Sequence, residues 1–148
     1  MNKQHVVLLS TYELGRQPFG LASPAAWLRA AGMAVHCQDL ALDALEKGPI
    51  QSADLVAFYL PMHTATRIAT PLIGRVQQIN PQAHICCYGL YATLNESYLR
   101  KLGLIRFWAG NLKGIGCFGR TLGDNRQSIA DFAHNITETA AISDTGPA

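Results

Sequence analysis

The chain has 148 residues, of which 49% are apolar and only 15% are charged, and its formal net charge is +2. This length is that of one domain, and so low a charge content argues against a disordered chain. Lysine and arginine are scattered, with no run longer than Arg100-Lys101, so no nucleic-acid-binding surface is expected. The apolar run at residues 6–9 is too short for a signal core or a membrane span, and we expect a cytoplasmic protein without membrane contact.

The first part of the chain alternates between strand and helix signals. Residues 5–10 form a short, β-branched and apolar run, which predicts a buried parallel strand followed by a polar loop. Ser23 as N-cap and Pro24 as the first helical residue predict the start of a helix, and Gly32 predicts its end. Residues 33–37 are expected to form the second strand.

The alternation continues through the middle of the chain. Residues 39–47 have a weaker helix or turn signal that is closed by Gly48-Pro49, and residues 54–60 predict the most apolar strand. A helical pattern follows over residues 63–79, in which Pro71 either kinks the helix or marks its true first turn.

The last part of the chain predicts a fourth strand at residues 84–88 and a short helix at residues 96–102 that is capped by Asn95. A fifth strand is predicted at residues 104–108, and a glycine-rich loop with a C-terminal amphipathic helix at residues 110–142. Strands separated by helices form β-α units, which require parallel strands and right-handed crossovers. We therefore expect one α/β domain over residues 1–148, with helices on both faces of a five-stranded parallel sheet. Such sheets bind ligands beyond the carboxyl ends of their strands.

The four cysteines have no C-x-x-C spacing. Cys86 and Cys87 are adjacent, and in a strand they would point to opposite faces. Small buried side chains in a reducing compartment explain them better than a metal or redox site does.

Several residues at the start of the chain follow the order of a known family. Pro18-Phe19-Gly20-Leu21 leads into a helix of small residues that ends at Ala31-Gly32, and the next strand closes on Asp39. With the strand that precedes it, this order resembles the cobalamin-binding-type domains found in front of radical S-adenosylmethionine (radical SAM) enzymes. The resemblance extends over residues 5–108.

The resemblance implies a three-layer flavodoxin-like (Rossmann-like) fold with strand order 2-1-3-4-5 and a cobalamin site over the carboxyl ends of the strands. It implies an accessory domain that positions cobalamin for a radical SAM catalytic partner. Three features depart from the family pattern. The loop after the first strand has no histidine to act as the lower cobalt ligand of classical cobalamin carriers, a histidine that members fused to radical enzymes often lack too, and the paired glycine after the fourth strand is reduced to Gly89-Leu90. The chain also has no Cys-x-x-x-Cys-x-x-Cys spacing for an iron–sulfur cluster.

The candidate cofactor-binding residues occupy the segments that follow the strands: Ser10, Thr11, Tyr12, Gly20, Pro61, His63, Thr64, Gly89, Leu90 and Tyr91. The hydroxyl groups suit a ligand phosphate or amide, and equally ordinary caps and turns. His63 suits a ligand contact or a polar position at a helix start. Gly20 and Gly89 would let a flat ring system approach because they have no Cβ, although turn geometry also explains them.

Two further features of the sequence give weaker indications of a ligand-binding site. Glu13 and Asp39 fall near the same edge, where solvated surface acids are expected. Residues 114–119 match G-x-G-x-x-G, but no β-α-β unit follows, so a surface loop is expected rather than a nucleotide site. The sequence predicts no catalytic or metal-binding residue.

Three functions remain open from the sequence. The first is a cobalamin-binding accessory module, and the second is a cofactor-free interaction domain that has kept the fold. The third is a small flavodoxin-like protein that binds flavin or nucleotide. The low charge content indicates a protein partner, a neighbouring domain or a homodimer.

Overall fold

The computed structural model describes residues 3–101, which form four strands and five helices. The strands are β1 (His5–Ser10), β2 (Ala34–Asp39), β3 (Leu55–Tyr59) and β4 (His84–Tyr88). The helices are α1 (Phe19–Ala30), α2 (Lys47–Gln51), α3 (His63–Ile79), α4 (Leu90–Leu94) and α5 (Glu96–Lys101). Within this part of the chain, no helix has the length and apolarity needed to cross a bilayer.

The four strands form one parallel sheet in the order β2-β1-β3-β4. This is the order of the first four strands of a flavodoxin-like doubly wound sheet. The prediction of a parallel α/β fold is confirmed, and the sheet has four strands within the described residues instead of the five expected. The predicted fifth strand at residues 104–108 and the predicted segment 110–142 lie outside the described residues.

Both faces of the sheet are buried at β1, β3 and β4, which explains why these strands are mostly apolar, whereas the edge strand β2 is half-buried and contains polar residues. One face packs Leu8 and Ala57 against α1, and the other packs Leu9 and Phe58 against α2 and α3. Cys86 and Cys87 point into opposite cores, as predicted. Burial raises the pKa of both thiols, that of Cys87 to about 12, so both are protonated and unreactive near neutral pH.

Helix α1 begins earlier than the sequence predicts. It starts at Phe19, so Ser23 is not the N-cap and Pro24 lies inside the helix. Proline has no N–H to donate to the carbonyl four residues back, here that of Gly20. The hydroxyl of Tyr88 donates to this oxygen instead, at 2.5 Å. A hydrogen bond from a distant strand thus satisfies the carbonyl that Pro24 leaves unpaired.

Other boundaries also differ from expectation. Gly48-Pro49 lies inside α2 instead of closing a segment, because a proline in the first turn removes no intrahelical hydrogen bond. Helix α3 begins at His63, so Pro71 is an interior residue and does not mark the first turn. Helix α5 begins at Glu96, directly after Asn95, as the sequence predicts. Asn95 is also the C-cap of α4, a helix that the sequence did not predict, and its amide nitrogen donates to Tyr91 O at 2.9 Å.

We expect Gly74→Ala to raise the free energy of unfolding by about 0.5–1 kcal/mol, the usual gain when alanine replaces glycine inside a helix. Gly74 lies within α3, and a Cβ at this position would have no atom within 4 Å. Urea unfolding followed by circular dichroism measures the change. A loss of stability would contradict the open surroundings found at this position.

Candidate functional site at the carboxyl edge of the sheet

The last residues of the four strands form a row across the sheet. Ser10 is in register with both Asp39 and Tyr59, and Tyr59 is in register with Tyr88. These four residues have the same strand phase as Leu8 and the other core residues that face α1. We call Asp39, Ser10, Tyr59 and Tyr88 the edge row. Because β1 lies between β2 and β3, the row crosses the topological switch point, where ligands of doubly wound sheets bind.

The ring of Tyr59 fills the space between the two glycines that were expected to admit a flat ligand. A Cβ on Gly20 would overlap the ring atoms Cε1, Cζ and Cδ1 of Tyr59. A Cβ on Gly89 would lie 3.2 Å from Tyr59 Cε2, on the other edge of the ring. Both glycines therefore permit a close approach, and the group they approach is the protein's own tyrosine.

Tyr88 fixes the other side of this arrangement. Its ring centroid lies 5.3 Å from that of Tyr59, with the planes tilted by 34°. Burial raises the pKa of Tyr88 well above its ordinary value, so its hydroxyl stays protonated and donates to Gly20 O. The two rings and the start of α1 form one packed unit.

Glu13 brings a carboxyl group to the switch point. It precedes Leu14 and Gly15, both in the left-handed region, in the loop after β1. Burial, and then the charge of Asp39, raise the pKa of Glu13. Burial and then the charge of Glu13 raise the pKa of Tyr59, which shows that this carboxyl group lies close to the edge row.

Two buried oxygen atoms of this site have no hydrogen-bond partner within the described residues: Glu13 Oε2 and Ser10 Oγ. Ser10 itself is 0% exposed. An ionised carboxylate only accepts hydrogen bonds, and a buried polar atom without a partner costs free energy. The site therefore suits a hydrogen-bond donor, above all a cation, and repels phosphate and carboxylate groups.

A cavity of about 410 Å³ continues the site along α1 and the edge of β2. Its lining is mostly apolar, with Phe19 and Leu21 on the helix side and Cys37 and Asp39 on the strand side. Burial raises the pKa of Cys37, and the nearby Arg29 partly offsets this. The cavity thus offers an apolar surface next to one end of the edge row.

The structure divides the ten predicted residues between two faces of the sheet. Ser10, Gly20 and Gly89 meet at the edge row. Thr11 faces the other way, is buried, and donates from its hydroxyl to Ala65 O at 2.9 Å, so it fastens the first loop to α3.

The remaining predicted residues are not part of the edge row. His63 and Thr64 are exposed in the first turn of α3, and Leu90 is 66% exposed. Tyr91 packs against the α3-side core, and its backbone N–H donates to Leu60 O. Tyr12 and Pro61 are half-buried.

Sequence reasoning missed Tyr59 and gave Glu13 and Asp39 the role of solvated acids. The signal for Tyr59 was strand alternation: it has the same phase as Leu55 and Ala57, at the last position of β3.

We expect Glu13→Gln to stabilise the domain more at about pH 7 than at about pH 4. Burial and Asp39 raise the pKa of Glu13 above its ordinary value of 4.5. The folded state therefore binds the proton more tightly than the unfolded chain, and the wild type loses stability as pH rises from that value through the folded pKa. The variant has no carboxyl group at this position and does not lose stability in this way. We expect the difference to stay below about 1 kcal/mol because the carboxyl group is partly exposed.

Urea unfolding of both proteins at the two pH values measures this effect. The same stability difference at both would contradict the raised pKa of Glu13.

No family model and no curated protein sequence matches the chain. Among solved structures, it is similar to the flavodoxin-like domain from a Synechococcus sp. protein, with 16% identity, a TM-score of 0.49, and coverage of 93% of this chain and 96% of that one. An adenylate cyclase from Rhodopirellula baltica is similar at 13% identity, a TM-score of 0.45, and coverage of 97% and 99%. Likenesses at this level carry no argument about function, and the fold assignment rests on the strand order. These comparisons give no support to an association with cobalamin or radical SAM enzymes.

Proposed function

We propose that this domain is a cofactor-free interaction domain, which binds a segment of a partner protein at the carboxyl edge of its sheet. The observation that carries the proposal is Glu13 Oε2 at the switch point, a buried carboxylate oxygen on a partly exposed residue, which has no hydrogen-bond donor within the described residues. A partner that supplies a hydrogen-bond donor there relieves the cost of leaving this oxygen unpaired.

The segments at the carboxyl edge of the sheet expose large apolar side chains. Four large apolar side chains are exposed in the segments that follow β1, β2 and β4, all at the carboxyl edge: Leu14 at 64%, Phe19 at 76%, Leu42 at 81% and Leu90 at 66%. Apolar side chains grouped in this way are typical of a protein-binding surface.

Charge complementarity identifies the occupant. Glu13 and Asp39 attract a lysine or arginine side chain, whose N–H groups are the donors that Glu13 Oε2 lacks. The apolar cavity beside Asp39 has room for a neighbouring apolar side chain of the same segment. We infer a partner segment that carries a cationic residue next to an apolar one.

The residues of the edge row do not fit cobalamin. The two glycines that were expected to face its flat ring system lie against the ring of Tyr59 instead. The carboxylates of Glu13 and Asp39 also disfavour the phosphate groups of flavins and nucleotides. Cobalamin binding stays a prediction, which visible absorbance after incubation with hydroxocobalamin and desalting decides.

Selection from a random peptide library against the purified chain tests the proposal. We expect the enriched peptides to carry lysine or arginine beside an apolar residue. Their Kd, measured by fluorescence anisotropy, should increase about tenfold in the variant Glu13→Gln/Asp39→Asn, since a charge-assisted hydrogen bond is lost. The control is Asp54→Asn, which removes a charge at the opposite edge of the sheet, where Asp54 accepts a hydrogen bond from His5 N.

Four results would overturn the proposal. Enriched peptides without a cationic residue would show that the carboxylates do not select the partner. The same peptide affinity for Glu13→Gln/Asp39→Asn and for Asp54→Asn would show this too. Retention of hydroxocobalamin or flavin absorbance after desalting would assign the edge to a cofactor. A dimer in sedimentation velocity that Leu42→Asp converts to a monomer would assign the edge to a second copy of the chain.

A further inference from the structure

A second cavity lies on the opposite face of the sheet, between α3 and the junction of α4 and α5. Its volume is about 430 Å³, within the range of small-ligand sites. The side chains that line it include His63, Arg67 and Thr70 of α3, with Asn95 and Tyr98 from the junction. Since α3 packs on the face away from α1, this cavity is separate from the edge row.

The lining of this cavity favours negative charge. His63 and Arg67 are one helical turn apart, so their side chains are neighbours on the surface of α3. No hydrogen bond or ion pair within residues 3–101 occupies the guanidinium group of Arg67. Among the described residues, no acidic side chain lines the cavity, and the nearby Glu96 is held by Arg100 through bonds of 2.9 and 2.7 Å to one carboxylate oxygen.

The neutral groups of the lining add selectivity. The amide nitrogen of Asn95 uses one N–H for Tyr91 O and has a second N–H to donate. The hydroxyl of Thr70 donates to Thr66 O, which fixes its orientation within the helix. Tyr98 is half exposed and adds an aromatic ring to the lining that includes Arg67.

We propose that this cavity binds a small organic anion that consists of a phosphate or carboxylate group attached to a ring. Arg67 and His63 bind the anionic group, and Asn95 donates a further hydrogen bond to it. The ring of the ligand packs on Tyr98. A planar guanidinium group is suited to bidentate contact with either anion.

Titration of the 148-residue chain with phenyl phosphate, followed by ¹⁵N NMR, tests this proposal. Benzoate, inorganic phosphate and benzyl alcohol are the comparison probes. We expect shifts of the amide signals around Thr70, Asn95 and Tyr98. Phenyl phosphate or benzoate should bind at least about fivefold more tightly than inorganic phosphate and neutral benzyl alcohol, because only they supply both the charge and the ring.

A matched pair of variants separates a defined site from general charge attraction. Arg67→Gln should weaken phenyl phosphate and benzoate binding by about fivefold or more. Arg75→Gln removes the same charge from an exposed position of the same helix outside the cavity, and it should leave the Kd unchanged. Equal losses in both variants, no loss in Arg67→Gln, or shifts that do not cluster around the cavity would overturn the proposal.

Discussion

Gly89→Ala is expected to lower the free energy of unfolding by about 2–5 kcal/mol, the largest effect of any substitution considered for this domain. Gly89 has φ +103° and ψ 171°, a region of backbone conformation that only glycine adopts without strain. A Cβ here would also lie 2.8 Å from Leu60 O, a backbone atom that cannot rotate away. Strain and overlap therefore add.

Urea unfolding of Gly89→Ala and of a control, Gly15→Ala, separates the two causes. Gly15 also has a positive φ, of +70°, but a Cβ at this position would have no atom within 4 Å. The control should lose only about 1 kcal/mol, the usual cost of the left-handed region. Equal losses in both variants would show that the contact with Leu60 contributes nothing.

Gly20→Ala should lower the free energy of unfolding by about 1–3 kcal/mol, the usual cost of overpacking. The added methyl group would overlap three atoms of the Tyr59 ring, which lies between Gly20 and Gly89, so the ring or the start of α1 has to shift. The carbonyl of Gly20 is also held by the hydroxyl of Tyr88, so the start of α1 resists a shift away from the ring.

A double-mutant cycle assigns this cost to the ring. Gly20→Ala should cost little in a Tyr59→Ala background, where the space is open, and its full amount in Tyr59→Phe, which keeps the overlapping carbon atoms. Additive losses for Gly20→Ala and Tyr59→Ala would contradict the contact between them.

The parts of the fold that depend on local sequence were predicted well. The bounds of β1, β4 and α3 agree with the sequence prediction, because each is a strong apolar pattern between clear breaks. The start of α1 was wrong because Ser23-Pro24 is a good local helix start that tertiary structure overrides. The earlier start of α1 depends on the hydroxyl of Tyr88 in β4, which donates a hydrogen bond to Gly20 O, and no local sequence pattern indicates this bond.

In the candidate site, too, the sequence predicts what depends on local patterns and misses what depends on tertiary contacts. From the β-α alternation we expected Ser10, Gly20 and Gly89 near the carboxyl edge of the sheet, and the structure brings these three residues together there. It did not predict that Tyr59 would fill the space between the two glycines, since either a ligand ring or a side chain satisfies the same absence of a Cβ. Sequence patterns also do not indicate that Glu13 Oε2 is buried or that the next residue, Leu14, has a positive φ.

The bond from Tyr88 to Gly20 sets an order of events during folding. Its two residues are 68 positions apart, so an emerging chain that has not yet paired β4 has no donor for the Gly20 carbonyl. In such a chain α1 is expected to begin at Pro24, as its own residues favour, and to gain its first turn only when the fourth strand docks. We therefore expect the first turn of α1 to form at the same time as β4 joins the sheet.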